Sequence, residues 1–229
     1  TKTRAIIAVS HYAAEEARVA FDLDSPLVQV VYNGVDHETF TPHGEREAGP
    51  YFLAVSSSNP VKNLERILEA YTRLPRKGRP SLVVIAPECK RPVFVEEVRL
   101  IGHELSQQEM ARWYRGATGL VFPSLRETFG LPIIEAMACG CPVITSWDTG
   151  CAEIAGDAAI LVDPRSVDAI FCAMSKLTSD NDFRQDLVAG GAARSQRFSW
   201  RQGAKQIIEI FESYIRAPED KSKAYQIWR

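Results

Sequence analysis

Residues 126–140 read RETFGLPIIEAMACG, and the fold turns on how this stretch is parsed. GLVF (119–122) lies just before it and CPVITS (141–146) just after. Short apolar runs of this kind, rich in β-branched residues, suit strands buried on both faces of a parallel sheet. Pro132 stands where a helix would open, since its fixed φ suits the first position and its missing N–H is harmless there. Gly140 stands where such a helix would stop. The stretch therefore predicts a loop, a helix from Pro132 to Cys139 and a return to strand. Glu127 falls in the loop and Glu135 in the first helical turn.

Working outward, the same alternation recurs. AIIAVS (5–10), LVQVVY (27–32), YFLAVS (51–56), SLVVIA (81–86), EVRLIG (97–102) and AAILVD (158–163) read as strands. Ser10 is placed to cap a helix running through AAEEARVAF (13–21). NLERILEAYTRL (63–74) sets Leu64, Ile67, Leu68 and Tyr71 on one helical face. SQQEMARWYRGA (106–117) opens with the capping box Ser106–Glu109. Three more helical segments close the chain, the last opening at Ser199 with Gln202 three residues on. Strands alternating with helices predict an α/β fold: a Rossmann-like, mostly parallel sheet with helices on both faces. The polar run HETFTPHGEREAGP (37–50) reads as a linker. It separates residues 1–45 from a main domain over 46–215, with 216–229 as a tail.

The 229 residues carry a formal net charge of −2, which gives no electrostatic case for nucleic acid or an anionic membrane. No apolar run approaches the roughly 20 residues of a membrane span. Five cysteines (Cys89, Cys139, Cys141, Cys151, Cys172) lack a zinc-ligand pattern and read as reduced structural thiols, which favours the cytoplasm. His11, His37, His43 and His103 are scattered and form no metal spacing. The chain opens on Thr1 rather than Met, as a piece of a longer protein would.

In open parallel sheets ligands bind beyond the carboxyl ends of the strands, where loops lead into helices. PSLRETFG (123–130) is such a loop. The helix it feeds points free N–H groups and about half a positive charge into the crevice, which makes an anion site. Gly130 lets the backbone approach a phosphate closely. Neither Glu127 nor Glu135 suits phosphate, but both suit hydroxyls. Hydroxyl acceptors flanking a phosphate site fit a nucleoside diphosphate sugar.

ETFGLPIIE (127–135) resembles the E-x7-E signature of the retaining group 1 glycosyltransferases (GT4) with a GT-B fold. The continuation AMACGCPVITSWDTGCAEIAGDAAILVDP (136–164) resembles that family almost position by position. AVSHYA, VVYNGVD, NPVKNLERILEAY and YRGATGLVFPS fall in the family's order. The resemblance implies the C-terminal, donor-binding half of such an enzyme. Its donor would be GDP-mannose or a UDP-sugar, transferred with retention and without a metal or other cofactor. By the same resemblance Glu127 and Lys62 act at the sugar and diphosphate, and Glu135 meets the ribose. The backbone of Thr128, Phe129, Gly130 and Leu131 would cradle sugar and diphosphate. The loop holding His103, Glu104 and Leu105 would meet the base, mainly through backbone groups. A saccharide or lipid-linked acceptor would sit on the missing N-terminal domain, of which residues 1–45 would be the end. In the longer protein the resemblance implies a cytoplasmic enzyme, or one peripheral at the inner membrane face, serving cell-envelope polysaccharide synthesis.

Three departures stand out. Ser57 occupies the place where many family members carry an arginine, leaving Ser57, Ser58 and Asn59 to donate neutral hydrogen bonds to the diphosphate. The acceptor half and its histidine are absent, and His11 does not match that histidine. The link between SLVVIA and EVRLIG is short. These departures keep two other readings in view: a nucleotide-sugar-binding subunit without catalysis of its own, and a structural domain whose site has decayed.

Overall fold

The computed structural model describes residues 5–23, 27–87 and 95–216. Cys89 and most of the link between the fourth and fifth strands lie outside the described residues. The chain opens with β1 (Ile6–Ala8), α1 (His11–Phe21) and β2 (Val28–Val30). β1 and β2 pair in parallel as a small two-stranded sheet, with α1 as the crossover.

The main sheet is built from β3 (Tyr51–Val55), β4 (Ser81–Ile85), β5 (Val98–Ile101), β6 (Gly119–Phe122), β7 (Val143–Ser146) and β8 (Ile160–Val162). All its pairings are parallel, in the order β5-β4-β3-β6-β7-β8. The helices between them are α2 (Leu64–Thr72), α3 (Gln107–Gly116), α4 (Leu131–Ala138) and α5 (Gly150–Ala155), and α6 (Val167–Ser179) comes after β8. α7 (Asn181–Ser195) and α8 (Trp200–Arg216) follow.

Strand periodicity divides the core in two. Tyr51, Leu53, Val83, Ile85, Leu120, Phe122 and Val143 face one way, against Tyr114 of α3, Ile133 and Ile134 of α4 and Ile154 of α5. Phe52, Ala54, Leu82, Val84, Val121 and Ile144 face the other way, against Ile67 and Tyr71 of α2 and Ile170 and Met174 of α6. The Rossmann-like layering expected from the sequence is therefore present.

Local chemistry explains the helix ends. Ser10 Oγ accepts from Ala13 N–H, and both bonds of the Ser106–Glu109 capping box form. Ser199 Oγ accepts from Gln202 N–H at the start of α8. α5 was not expected: six residues are too few for a periodic signal, and Thr149 alone caps its N-terminus. The polar run 37–50 lies along α3. Arg115 donates to the carbonyls of Thr41, His43 and Glu45 at 2.7–3.2 Å, and Phe40 is buried in the core.

Among the described residues no helix is long and apolar enough to cross a membrane. The four described cysteines are free. Burial raises the Cys139 thiol to about 12 and pushes Cys141 and Cys151 upward, so all three are inert at neutral pH.

Candidate functional site

Reading the main sheet from β3 onward gives the spatial order 3-2-1-4-5-6, whose switch point falls between β3 and β6. The connections after these two neighbours run to opposite faces and leave a crevice at their carboxyl ends. One wall is the loop after β3. Asn59 caps a 3-10 turn over Pro60–Lys62 by accepting from Val61 N–H, and Ser57 Oγ accepts from Asn59 N–H. Both oxygens accept from the loop's own backbone, which leaves the Ser57 O–H and the Asn59 Nδ2 hydrogens as donors; Ser58 is exposed. Asn63, buried with φ at +61°, donates to the carbonyls of Pro123 and Pro164 at 2.8 and 2.7 Å. Leu125 N–H donates to Val61 O at 2.8 Å, so the two crevice loops are tied together.

Lys62 and Glu127, from opposite walls, meet directly. Nζ lies 2.7 Å from Oε2, and the ammonium sits 5.0 Å from the centre of the Phe122 ring. Glu127 Oε1 also accepts from Thr128 N–H at 3.2 Å. Arg126, beside it, is turned outward to Glu16 of α1 at 3.2 Å and does not supplement Lys62.

Behind the loop, Gly150 N–H donates to Glu127 O at 2.9 Å. A Cβ at Gly150 would lie 2.4 Å from Thr128 O, so only glycine permits this approach. Ser10 Oγ donates to Thr128 O at 2.6 Å. Phe129 is buried edge-on to Phe198, 5.8 Å between centroids, and near Tyr32.

Gly130, at φ +89°, caps α4 and lets the chain turn into it. Because the cap is Gly130, the helix opens at Leu131 and Pro132 is second, one residue earlier than expected. Glu135 is then the fifth helical residue and belongs to the second turn rather than the first. Its Oε2 accepts from the Tyr114 hydroxyl at 3.0 Å. Burial raises the Glu135 carboxyl above the usual range, and the Tyr114 bond acts against that rise. The orphan N–H groups at the start of α4 remain the natural anion-binding feature.

His103 and Glu104 are exposed and Leu105 is half-buried, in the loop between β5 and α3, two strands away from β3 on the same edge of the sheet. Among the described residues no group of three or more His, Cys, Asp or Glu is arranged to hold a metal.

Glu153 was not singled out in the sequence. From α5 its carboxylate accepts from His11 N–H, Tyr12 N–H and the Tyr32 hydroxyl at 2.8–2.9 Å, capping α1 from across the chain. Burial first, and then this contact, raise the Tyr32 hydroxyl to about 12.

A parallel sheet with its switch-point crevice faced by a helix N-terminus, a lysine and a carboxylate has its crevice where open α/β sheets commonly take ligands. The chain belongs to the glycosyl transferases group 1 family, which it matches over residues 35–194. It is 32% identical over 174 residues to O-antigen chain mannosyltransferase B of Escherichia coli, covering 71% of this chain and 45% of that one. It is 28% identical to D-inositol 3-phosphate glycosyltransferase of Xylanimonas cellulosilytica, covering 90% of this chain and 56% of that one. The chain thus spans about half the length of the curated relatives it matches.

Among solved structures, the C-terminal domain of a group 1 glycosyl transferase (LpcC) from Francisella tularensis superposes with TM-score 0.62 at 26% identity. That match covers 72% of this chain and 97% of that domain. A glycosyltransferase from Rickettsia africae superposes with TM-score 0.82 at 17% identity, covering 94% and 65%. Anabaena HepE, solved with UDP and glucose, gives 0.77 at 19%, covering 92% and 63%. The fold is therefore that of the C-terminal half of GT-B glycosyltransferases.

Proposed function

We propose that this chain is the donor-binding half of a retaining glycosyltransferase that takes its sugar from a nucleoside diphosphate sugar. The observation that carries the reading is the meeting of Lys62 and Glu127 across the switch-point crevice, in a chain of this family. A diphosphate entering the crevice draws Lys62 away from Glu127 and receives the N–H groups of Phe129, Gly130 and Leu131 at the start of α4. Glu127, released, accepts from hydroxyls of the transferred sugar, and Glu135 from the ribose. His103, Glu104 and Leu105 line the base end.

The protein's main task is then to stabilise the departing diphosphate. The donor's own phosphate takes the acceptor proton, and no metal is needed. GDP-mannose is the favoured donor, because mannosyltransferases recur among the relatives, with a UDP-sugar as the other choice. The acceptor, a saccharide or lipid-linked saccharide, sits on an N-terminal domain of which residues 1–45 are the end. The whole enzyme works in the cytoplasm or at the inner membrane face.

Calorimetric titration of the chain with UDP, GDP and ADP at low and moderate salt tests this. Saturable binding of one diphosphate, weakening as salt rises, is the expected result. No binding to any of the three would overturn the reading.

A further inference from the structure

We propose that Tyr114 is a positioning residue of the nucleotide site: its hydroxyl holds one oxygen of Glu135 so that the other is presented to the ribose. This rests on the reading above. Tyr114 is fully buried on α3, its ring packed 6.1 Å from Phe40 in the core. A buried phenol requires a hydrogen-bond partner, and here the partner is Glu135 Oε2 at 3.0 Å, on the neighbouring helix α4. Glu135 is half-buried among apolar side chains of the same core and is the only acidic residue of α4.

Two consequences follow from a carboxylate in such a setting. Its charged form is disfavoured by burial, and a donated hydrogen bond is what keeps that form accessible. Its terminal torsion is broad and intrinsically soft, so a fixed donor on one oxygen sets the plane of the other. Tyr114 supplies both. Burial and the nearby Glu135 keep its hydroxyl protonated, so it stays a donor at all working pH. The bond also links two parts of the site. α3 begins directly after the loop of His103 to Leu105, and α4 begins at the Gly130 turn. A displacement of α3 is thus passed to Glu135 through one side chain. Besides Tyr114, the titratable group that registers Glu135 is Cys139, one turn along α4; Tyr114 in turn faces Glu135, Cys141 and Cys139.

The test is Tyr114→Phe, which keeps the ring and its packing and removes only the donor. Binding of the preferred nucleoside diphosphate should weaken roughly three- to tenfold, the worth of one hydrogen bond. Inorganic pyrophosphate, which has no ribose, should bind unchanged. Independently of any ligand, the Glu135 carboxyl, followed by carbon NMR, should titrate at higher pH in Tyr114→Phe than in the unaltered chain. Equal weakening of nucleotide and pyrophosphate, or an unmoved Glu135 titration, would overturn the positioning role. A shifted titration in a chain that binds no nucleoside diphosphate would instead overturn the donor-site reading and leave Glu135 no ribose to meet.

Discussion

Lys62 and Glu127 form an ion pair of 2.7 Å across the crevice, with 30% and 19% of their side-chain surfaces exposed. A ligand phosphate must therefore compete with a carboxylate already in place. Glu127→Gln leaves the ammonium facing a neutral partner, so pyrophosphate affinity should rise at low salt and the gain should shrink as salt screens it. Lys62→Ala should do the opposite. Losing a charge-assisted bond of about 1.5–3 kcal/mol weakens diphosphates roughly ten- to hundredfold and leaves the bare nucleoside nearly unaffected. Calorimetry with pyrophosphate, the diphosphate and its nucleoside separates the two. Equal losses for diphosphate and nucleoside would remove the phosphate role of Lys62.

Glu135 makes stability depend on pH in a definite direction. Its carboxyl titrates higher in the fold than in the unfolded chain, because burial disfavours the charge. The protonated form therefore favours folding, and that contribution is lost as pH rises through the raised value. Glu135→Gln removes the loss. Its melting temperature relative to the unaltered chain should be higher at pH 7 than at pH 4, by a few degrees for a chain of this size. A difference independent of pH would show that the carboxyl is not strained by burial.

Gly150→Ala tests the close approach behind the loop that carries Glu127. The added methyl lies 2.4 Å from a backbone carbonyl that cannot rotate away, so Thr128 and α5 must separate. A cost of about 1–3 kcal/mol is expected, with nucleotide binding weakened in step because Glu127 adjoins the displaced carbonyl. Unchanged binding and an unchanged melting temperature would mean that the loop is not held by this contact.

Glu153→Ala removes the acceptor for the first two N–H groups of α1 and leaves Ser10 as its only cap. Three donors lose one acceptor, and a loss of about 2–4 kcal/mol, or roughly 5–15 °C in melting temperature, is expected in thermal denaturation. A shift within a degree of the unaltered chain would show that α1 is held by other contacts.

Much of this arrangement was legible in the residues. Apolar runs such as GLVF and CPVITS gave the strands, and Ser10 and Ser106 gave the helix starts, because these signals are local. Glu127 could be placed in a crevice loop because it follows a strand of a parallel sheet, whereas the role of Lys62 came from the family resemblance. Their direct ion pair was not legible, since it depends on side-chain reach across two loops. The Pro132 start failed by one residue because Gly130, free to take a positive φ, capped the helix first. Glu153 and Tyr114 escaped notice for a shared reason: each acts on a group far away in sequence, 141–142 residues in the first case and 21 in the second. Thr149 was the one local hint of α5, and a six-residue helix has no periodicity to support it.

The cross-chain cap on α1 also bears on where this polypeptide can be divided. A truncation at residue 46, the boundary that composition suggests, would remove every donor that the Glu153 carboxylate now serves and would strip Tyr32 from Phe129 and Phe198. The resulting fragment would carry a stranded carboxylate and two newly wetted aromatic rings directly behind the Glu127 loop. A cut made ahead of β1 keeps these contacts, which makes the opening fifth of the chain a scaffold for the loop that carries Glu127.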